Sequence, residues 1–208
     1  MSHRLKATFV ELATDQGRDA GMAETLWQEI ETAYMGKGRY YHILQHLENM
    51  LGQLEEVKHL IRDWEVVLFS LFYHDIVYKA LRKDNEEKSA ELAEKRMAQL
   101  GVGPAAIGAC VEQILATKGH GISPSADTNY FTDADLSILG AEAGAYDAYA
   151  REVRKEYAVY PEIVYKPGRR KVLEHFLAME RIYKTDYFFE RLEERARENL
   201  RREVEGKS

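Results

Sequence analysis

The chain carries one cysteine, Cys110, among 208 residues. That excludes an internal disulfide and a thiolate metal cluster, and it makes a reducing cytoplasm the expected compartment. Only four prolines are present, so helix interiors are largely free of breakers. No apolar run approaches the roughly 18–20 residues of a membrane span. The opening MSHRLKATFVEL lacks the long apolar segment of a signal peptide. Basic charge is also scarce: 29 Lys and Arg face 35 Asp and Glu, a net charge of −6, which argues against a nucleic-acid polymer as partner. Two nucleotide-binding motifs are missing as well. GKGR lacks the GxxxxGK[ST] spacing of a P-loop, and no GxGxxG follows a strand, so a dinucleotide fold is unsupported.

What is present is helical. The chain is 45% hydrophobic and 31% charged, ordinary values for a soluble globular protein, and it is long enough for one domain with a real core. Apolar residues recur at helical spacing nearly throughout. ATFVELAT and MAETLWQEIETAYM read as opening helices, broken by the glycines of GKGR. YYHILQHLENMLGQL reads as the next helix. Asp63 offers an N-cap for WEVVLFSLFYHDIVY. Asp84 and Glu87 form a variant capping box for a helix that stops at Gly101, and Pro104 opens PAAIGACVEQILATKG. HGISPSADTNYF has loop composition, DADLSILGAEAGAYDAYAREVRKEYAV returns to helix, and YPEIVYKPGRR reads as a second loop. KVLEHFLAMERIYK and TDYFFERLEERARENLRREVE close the chain. In the last segment Glu193/Arg197 and Glu198/Arg202 are spaced i,i+4, as on a solvated face. The expectation is a single all-α domain over 1–208, built as a bundle of eight to ten helices.

Three signals point to chemistry. His74 and Asp75 sit in an apolar stretch whose helix has little polar face, and adjacent ionisable groups there are costly unless paired, hydrogen-bonded or bound to metal. His42 and His46 are four residues apart, so on a helix they share a face, a known way of presenting metal ligands. The stretch reads HILQH and lacks the glutamate of a zinc protease. DADL places Asp133 and Asp135 after a loop and before Leu136, where either could cap a helix or turn inward.

The order His, His–Asp, Asp on separate helices resembles the HD superfamily of metal-dependent phosphohydrolases. RYYHILQH, FYHDIVY, DNEEKSA, ILATKGH and FTDADLSILG look like one subfamily of predicted HD phosphohydrolases over about residues 36–140. VRKEY and GRRKVL extend the likeness less specifically. The resemblance implies an HD-like helical core with N- and C-terminal extensions. It also implies a divalent metal held by His46, His74, Asp75 and Asp135, with His42 and Asp133 as alternates. Mixed N/O ligands suit Mn, Fe, Co, Ni, Zn or Mg. Asp75 and His74 are the expected catalytic pair, with a metal-activated water attacking a phosphate ester or anhydride. The expected substrate is a small phosphorylated compound, such as a nucleotide. Arg39, His42, Lys118 and His120 are the candidates to contact it. Arg169, Arg170 and Lys171 form a further basic cluster. Other readings are an HD-type diiron oxygenase, which would draw on His42 and His120, and a non-catalytic metal- or nucleotide-binding module. Phe176, Phe188, Phe189 and Leu192 could serve a core or a homodimer.

Overall fold

The structure, a computed structural model, describes residues 2–15, 17 and 20–206. Among these residues it is all-α, with ten α-helices and no strand. No described helix is long and apolar enough to cross a membrane. The chain divides into two compact units, Met1–Thr132 and Asp133–Ser208. The boundary falls inside the 36–140 stretch that carries the motifs.

The first unit contains α1 (Ser2–Asp15), α2 (Ala20–Tyr34), α3 (Leu44–Glu56), α4 (Trp64–Tyr73), α5 (Asn85–Leu100) and α6 (Pro104–Ala116). It also holds most of α7 (Ala126–Asp135). Its centre is α4. Asp63 caps that helix by accepting the Val66 N–H at 3.2 Å, as the Ncap rule predicts. Every residue from Val66 to Tyr73 is buried. Phe72 meets Phe9 of α1 edge-on at 5.0 Å and Trp27 of α2 at 6.3 Å. Each large apolar side chain so buried contributes about 1.5–3 kcal/mol. Within this run Ser70 donates back to the Val66 carbonyl at 3.0 Å. Its hydroxyl also lies 3.3 Å from the Cys110 thiol of α6.

Local rules hold at several helix ends and fail at others. Pro104 opens α6. Gly101 ends α5 in the left-handed region at φ 81, the usual glycine C-terminus. The Asp84/Glu87 capping box does not form. Asp84 accepts from Arg82 instead, and Glu87 from Lys118. The stretch expected as a loop over 120–131 is helical from Ala126. There the Ser125 hydroxyl accepts the Thr128 N–H at 3.3 Å, and Asp127 accepts the backbone N–H groups of Arg62 and Asp63 at 2.9 and 2.8 Å.

The second unit contains a 3-10 turn (Leu136–Gly140), α8 (Ala143–Glu156), α9 (Glu162–Ala178) and α10 (Asp186–Val204). The expected loop YPEIVYKPGRR is instead the start of α9, with Pro167 inside it. At Gly140 a Cβ would lie 2.6 Å from Leu192 Cβ, so α10 packs against the turn only because that position lacks a side chain. Phe188 is fully buried in this core.

Two acidic residues hold the second unit from inside. Glu193 is buried and accepts the backbone N–H groups of Ile182 and Tyr183 at 3.1 Å while pairing with Arg197 at 2.7 Å. The expected solvated Glu193/Arg197 face is therefore an internal brace, and Arg202 pairs with Asp147 rather than Glu198. Asp133 is fully buried. It accepts the Lys184 and Thr185 N–H groups at 2.9 and 2.8 Å and the Thr185 hydroxyl at 2.7 Å, beside the Lys184 ammonium at 3.4 Å. Burial pushes the Asp133 carboxyl up from its ordinary pKa, against the pull of Lys184 and the donated N–H groups.

Two outcomes follow. Burial raises the Cys110 thiol to a pKa of about 12, so the native protein should not react with a disulfide thiol reagent at neutral pH while the urea-unfolded chain labels fully. Rapid labelling of native protein would contradict the packing of α4 on α6. Asp133→Ala should lower unfolding stability by ~3 kcal/mol, because it strands the Lys184 ammonium and two backbone donors. Urea denaturation followed by circular dichroism measures it, and a change below half that value would show that Asp133 does not hold this unit.

Candidate functional site

The buried α4 ends where its chemistry begins. His74 is the C-cap residue, with its N–H bonded to the Ser70 carbonyl at 2.9 Å, and Asp75 lies in the turn beyond. The helix expected to run on through YHDIVY stops here, and a non-helical segment takes over. That segment is clasped by α5. Asn85 accepts the Lys79 N–H at 3.1 Å and donates to the Lys79 carbonyl at 3.0 Å. Buried Ser89 accepts the Val77 N–H at 3.1 Å and donates to its carbonyl at 3.3 Å. One turn apart on one helix face, these two residues give the DNEEKSA stretch its structural meaning. The Tyr34 hydroxyl accepts the Asp75 N–H at 3.3 Å.

His46 approaches from α3. That helix starts at Leu44, so His42 lies outside it. The two histidines therefore do not share a helix face, although their rings still come within 5.9 Å. His46 and His74 are buried, at 3% and 1% exposed. Their Nε2 atoms lie 3.2 Å apart. His74 Nε2 lies 3.3 Å from Asp75 Oδ2. One ligand atom from each of His46, His74 and Asp75 falls within 4.8 Å of the others.

The donor set fits a metal ion on two counts. Ligands about 2.1 Å from one ion lie about 3.0 Å apart at a right angle and about 3.4 Å apart at the tetrahedral angle. The 3.2 and 3.3 Å separations fall between those limits. The second count concerns the tautomer. His74 Nδ1 sits 3.0 Å from the Leu71 carbonyl. A carbonyl only accepts, so Nδ1 carries the proton and Nε2 turns a lone pair toward the cluster, the arrangement usual for a metal-bound imidazole. Burial pushes the Asp75 carboxyl up, but His74, His42 and His46 outweigh it when they are protonated and hold the group well below the ordinary carboxylate range, a positive charge that a bound cation would supply in their place.

The other expected residues fall into distinct places. His42 stacks on Tyr78 at 4.2 Å between ring centres, and its Nε2 is 3.8 Å from Asp75 Oδ2. The Arg39 guanidinium donates to the carbonyls of His42 and Ile76 at 3.0 and 2.9 Å and lies near the Tyr34 and Tyr78 rings. It therefore ties the His42 segment to the segment after Asp75. Lys118 donates to the Lys83 carbonyl at 2.9 Å and pairs with Glu87, joining the end of α6 to the start of α5. His120 stands in the loop between α6 and α7, at φ 49, the one non-glycine residue in the left-handed region among those described. Asp133 and Asp135 belong to the second unit. The carboxylate of Asp133 is engaged by Lys184 and Thr185. Asp135 is the half-buried last residue of α7.

Sequence reasoning missed Tyr34, Tyr78 and Asn85. The i,i+4 spacing of Asn85 and Ser89 was the readable signal. Tyr34 and Tyr78 had none, because they meet the site only through tertiary packing.

Cobalt(II) added to metal-stripped protein should give visible absorption saturating at one ion per chain. His46→Ala and His74→Ala should each weaken that binding by at least about tenfold. Unchanged titrations in both variants would remove the metal assignment. Comparison with protein-family models, curated proteins and solved structures finds no match for this chain.

Proposed function

We propose that the chain is a metal-dependent phosphohydrolase acting on a small phosphorylated compound. The observation that carries this reading is the buried His46–His74–Asp75 cluster at coordination-polyhedron spacing. A divalent ion bound there would lower the pKa of a water molecule and polarise a phosphoryl oxygen. Three protein donors leave coordination positions for both.

The chain's own residues supply the rest. The Leu71 carbonyl keeps the proton of His74 on Nδ1, so Nε2 stays a donor of electrons. Asp75, which a bound cation would keep ionised, can orient an attacking water or accept its proton. His42, held flat against Tyr78 and within 3.8 Å of Asp75, is placed to relay that proton or to donate to a phosphate oxygen. Arg39 keeps His42 in position through its backbone carbonyl. Lys118 and His120 remain candidates for substrate contact. One group of three donors suits one ion, whereas a diiron oxygenase needs ligands around a second ion a few ångströms away.

A phosphatase screen over nucleotides and simple phosphate esters, run with Mn, Co, Ni, Zn and Mg, tests the proposal. Activity should appear with at least one ion. It should fall by about a hundredfold or more in His74→Ala and Asp75→Ala, with circular dichroism unchanged. Hydrolysis that both variants retain in full, or none with any ion, would overturn it.

A further inference from the structure

The second unit contains a cleft of about 850 Å³ formed by α8, α9 and the end of α10. We infer that this cleft is a binding site for a phosphorylated small molecule carrying two or more negative charges. Its walls hold Arg151, Arg154, Lys155, Lys166, Arg169 and Arg170. This concentration is not a property of the unit as a whole, where 15 Lys and Arg face 16 Asp and Glu over residues 133–208.

Three carboxylates also line the cleft, Asp147, Glu162 and Glu203. Each has its own guanidinium. Glu203 takes a two-pronged pair from Arg169 at 2.8 and 3.0 Å. Glu162 pairs with Arg154 at 2.6 Å. Asp147 is matched from outside the lining by Arg202 at 2.7 Å. Once these pairs are set aside, Arg151, Lys166 and Arg170 remain as positive charge lining the cleft. Lys166 does reach Glu162 at 3.7 Å and Arg170 reaches Glu174 at 2.7 Å. Both are exposed pairs worth little, and an incoming anion can exchange with them.

The inner pairs make the cleft rigid. Arg154 also donates to the Tyr157 and Tyr160 carbonyls at 3.0 and 3.1 Å and lies over the Tyr165 ring at 4.5 Å. Arg169 lies over Tyr149 at 5.2 Å. The ligand thus meets braced aromatic and arginine surfaces beside exposed cations. Guanidinium forks match the oxygens of a phosphate. Tyr165, Leu173 and Val204 add apolar lining, and a volume of this size has room for an organic part.

Isothermal titration of sodium pyrophosphate into full-length protein tests this, with the protein stripped of metal, exchanged out of chelator and held at constant ionic strength. Saturable one-site binding is expected, preserved in His74→Ala and weakened by about tenfold or more in Arg151→Gln/Lys166→Gln. Both substituted side chains are exposed, so the melting temperature should not move. If the double variant melts early, Arg151→Gln alone is measured, and a severalfold loss is expected. Failure to saturate into the millimolar range, affinity unchanged in the cleft variants, or binding abolished by His74→Ala would each overturn the inference. Preserved binding in His74→Ala also separates it from the hydrolase proposal, which that variant should disable.

Discussion

A carboxylate and two imidazoles cannot be buried together cheaply, and the first unit is organised around that difficulty. Helix α4 is apolar on every face, so burial at the centre is its stable position. That position carries whatever follows α4 into the interior as well. His74 goes in at 1% exposed and Asp75 at 17%. Such a group is stable only when each polar atom has a partner. The surrounding residues supply the partners. The Leu71 carbonyl takes one side of the His74 ring, the Tyr34 hydroxyl takes the Asp75 N–H, and His46 closes the third side. A cation would complete this arrangement, because two neutral imidazoles and a carboxylate together present three electron pairs to one point.

The same constraint explains the second layer. A turn holding Asp75 cannot also hydrogen-bond as a helix, so the backbone from Val77 to Lys79 needs partners from elsewhere. Asn85 and Ser89 provide them from one face of α5. Arg39 does likewise for the carbonyls of His42 and Ile76. The residues next to the cluster thus serve the backbone more than the substrate. The second unit uses the same device with Asp133 and Glu193, whose carboxylates gather the N–H groups of residues 182–185 before α10 begins.

How much of this was legible depends on the range of the interaction. The helical class, the Asp63 cap, the Gly101 stop and the Pro104 start are local, and the chain displays them directly. The burial of His74 was readable because α4 has no polar face. His46 as the partner was readable only through the family-like order of motifs. Helix limits around the site were not legible. The apolar periodicity of YYHILQH continues smoothly past Leu44, yet His42 lies outside the helix because Arg39 and Tyr78 hold that segment through tertiary contacts. The start of α9 misled for the opposite reason. Pro167 and Gly168 look like breakers because an interior proline removes a backbone hydrogen bond, yet α9 runs through both and buries only Leu173. The bracing role of Asp133 had no local signal, since its partners lie 51 and 52 residues away.

Charge divides the chain in a way that bears on its chemistry. Residues 1–132 carry 14 Lys and Arg against 19 Asp and Glu, a net charge of −5, and residues 133–208 account for the remaining −1. An acidic unit attracts a divalent cation and repels a free phosphate. The site there is correspondingly poor in cations of its own. Lys118 is paired with Glu87, and Arg39 is engaged with backbone carbonyls. A phosphorylated compound reaching His46, His74 and Asp75 would therefore depend on the bound ion for most of its charge neutralisation. Binding of ion and substrate should be coupled in that order, metal first, because without the ion the cluster presents a carboxylate to an anion. A lysine- or arginine-rich phosphate pocket can hold its ligand with no metal at all. The cleft of α8 and α9 has that second character, and the two sites consequently differ in what an anion needs before it can bind.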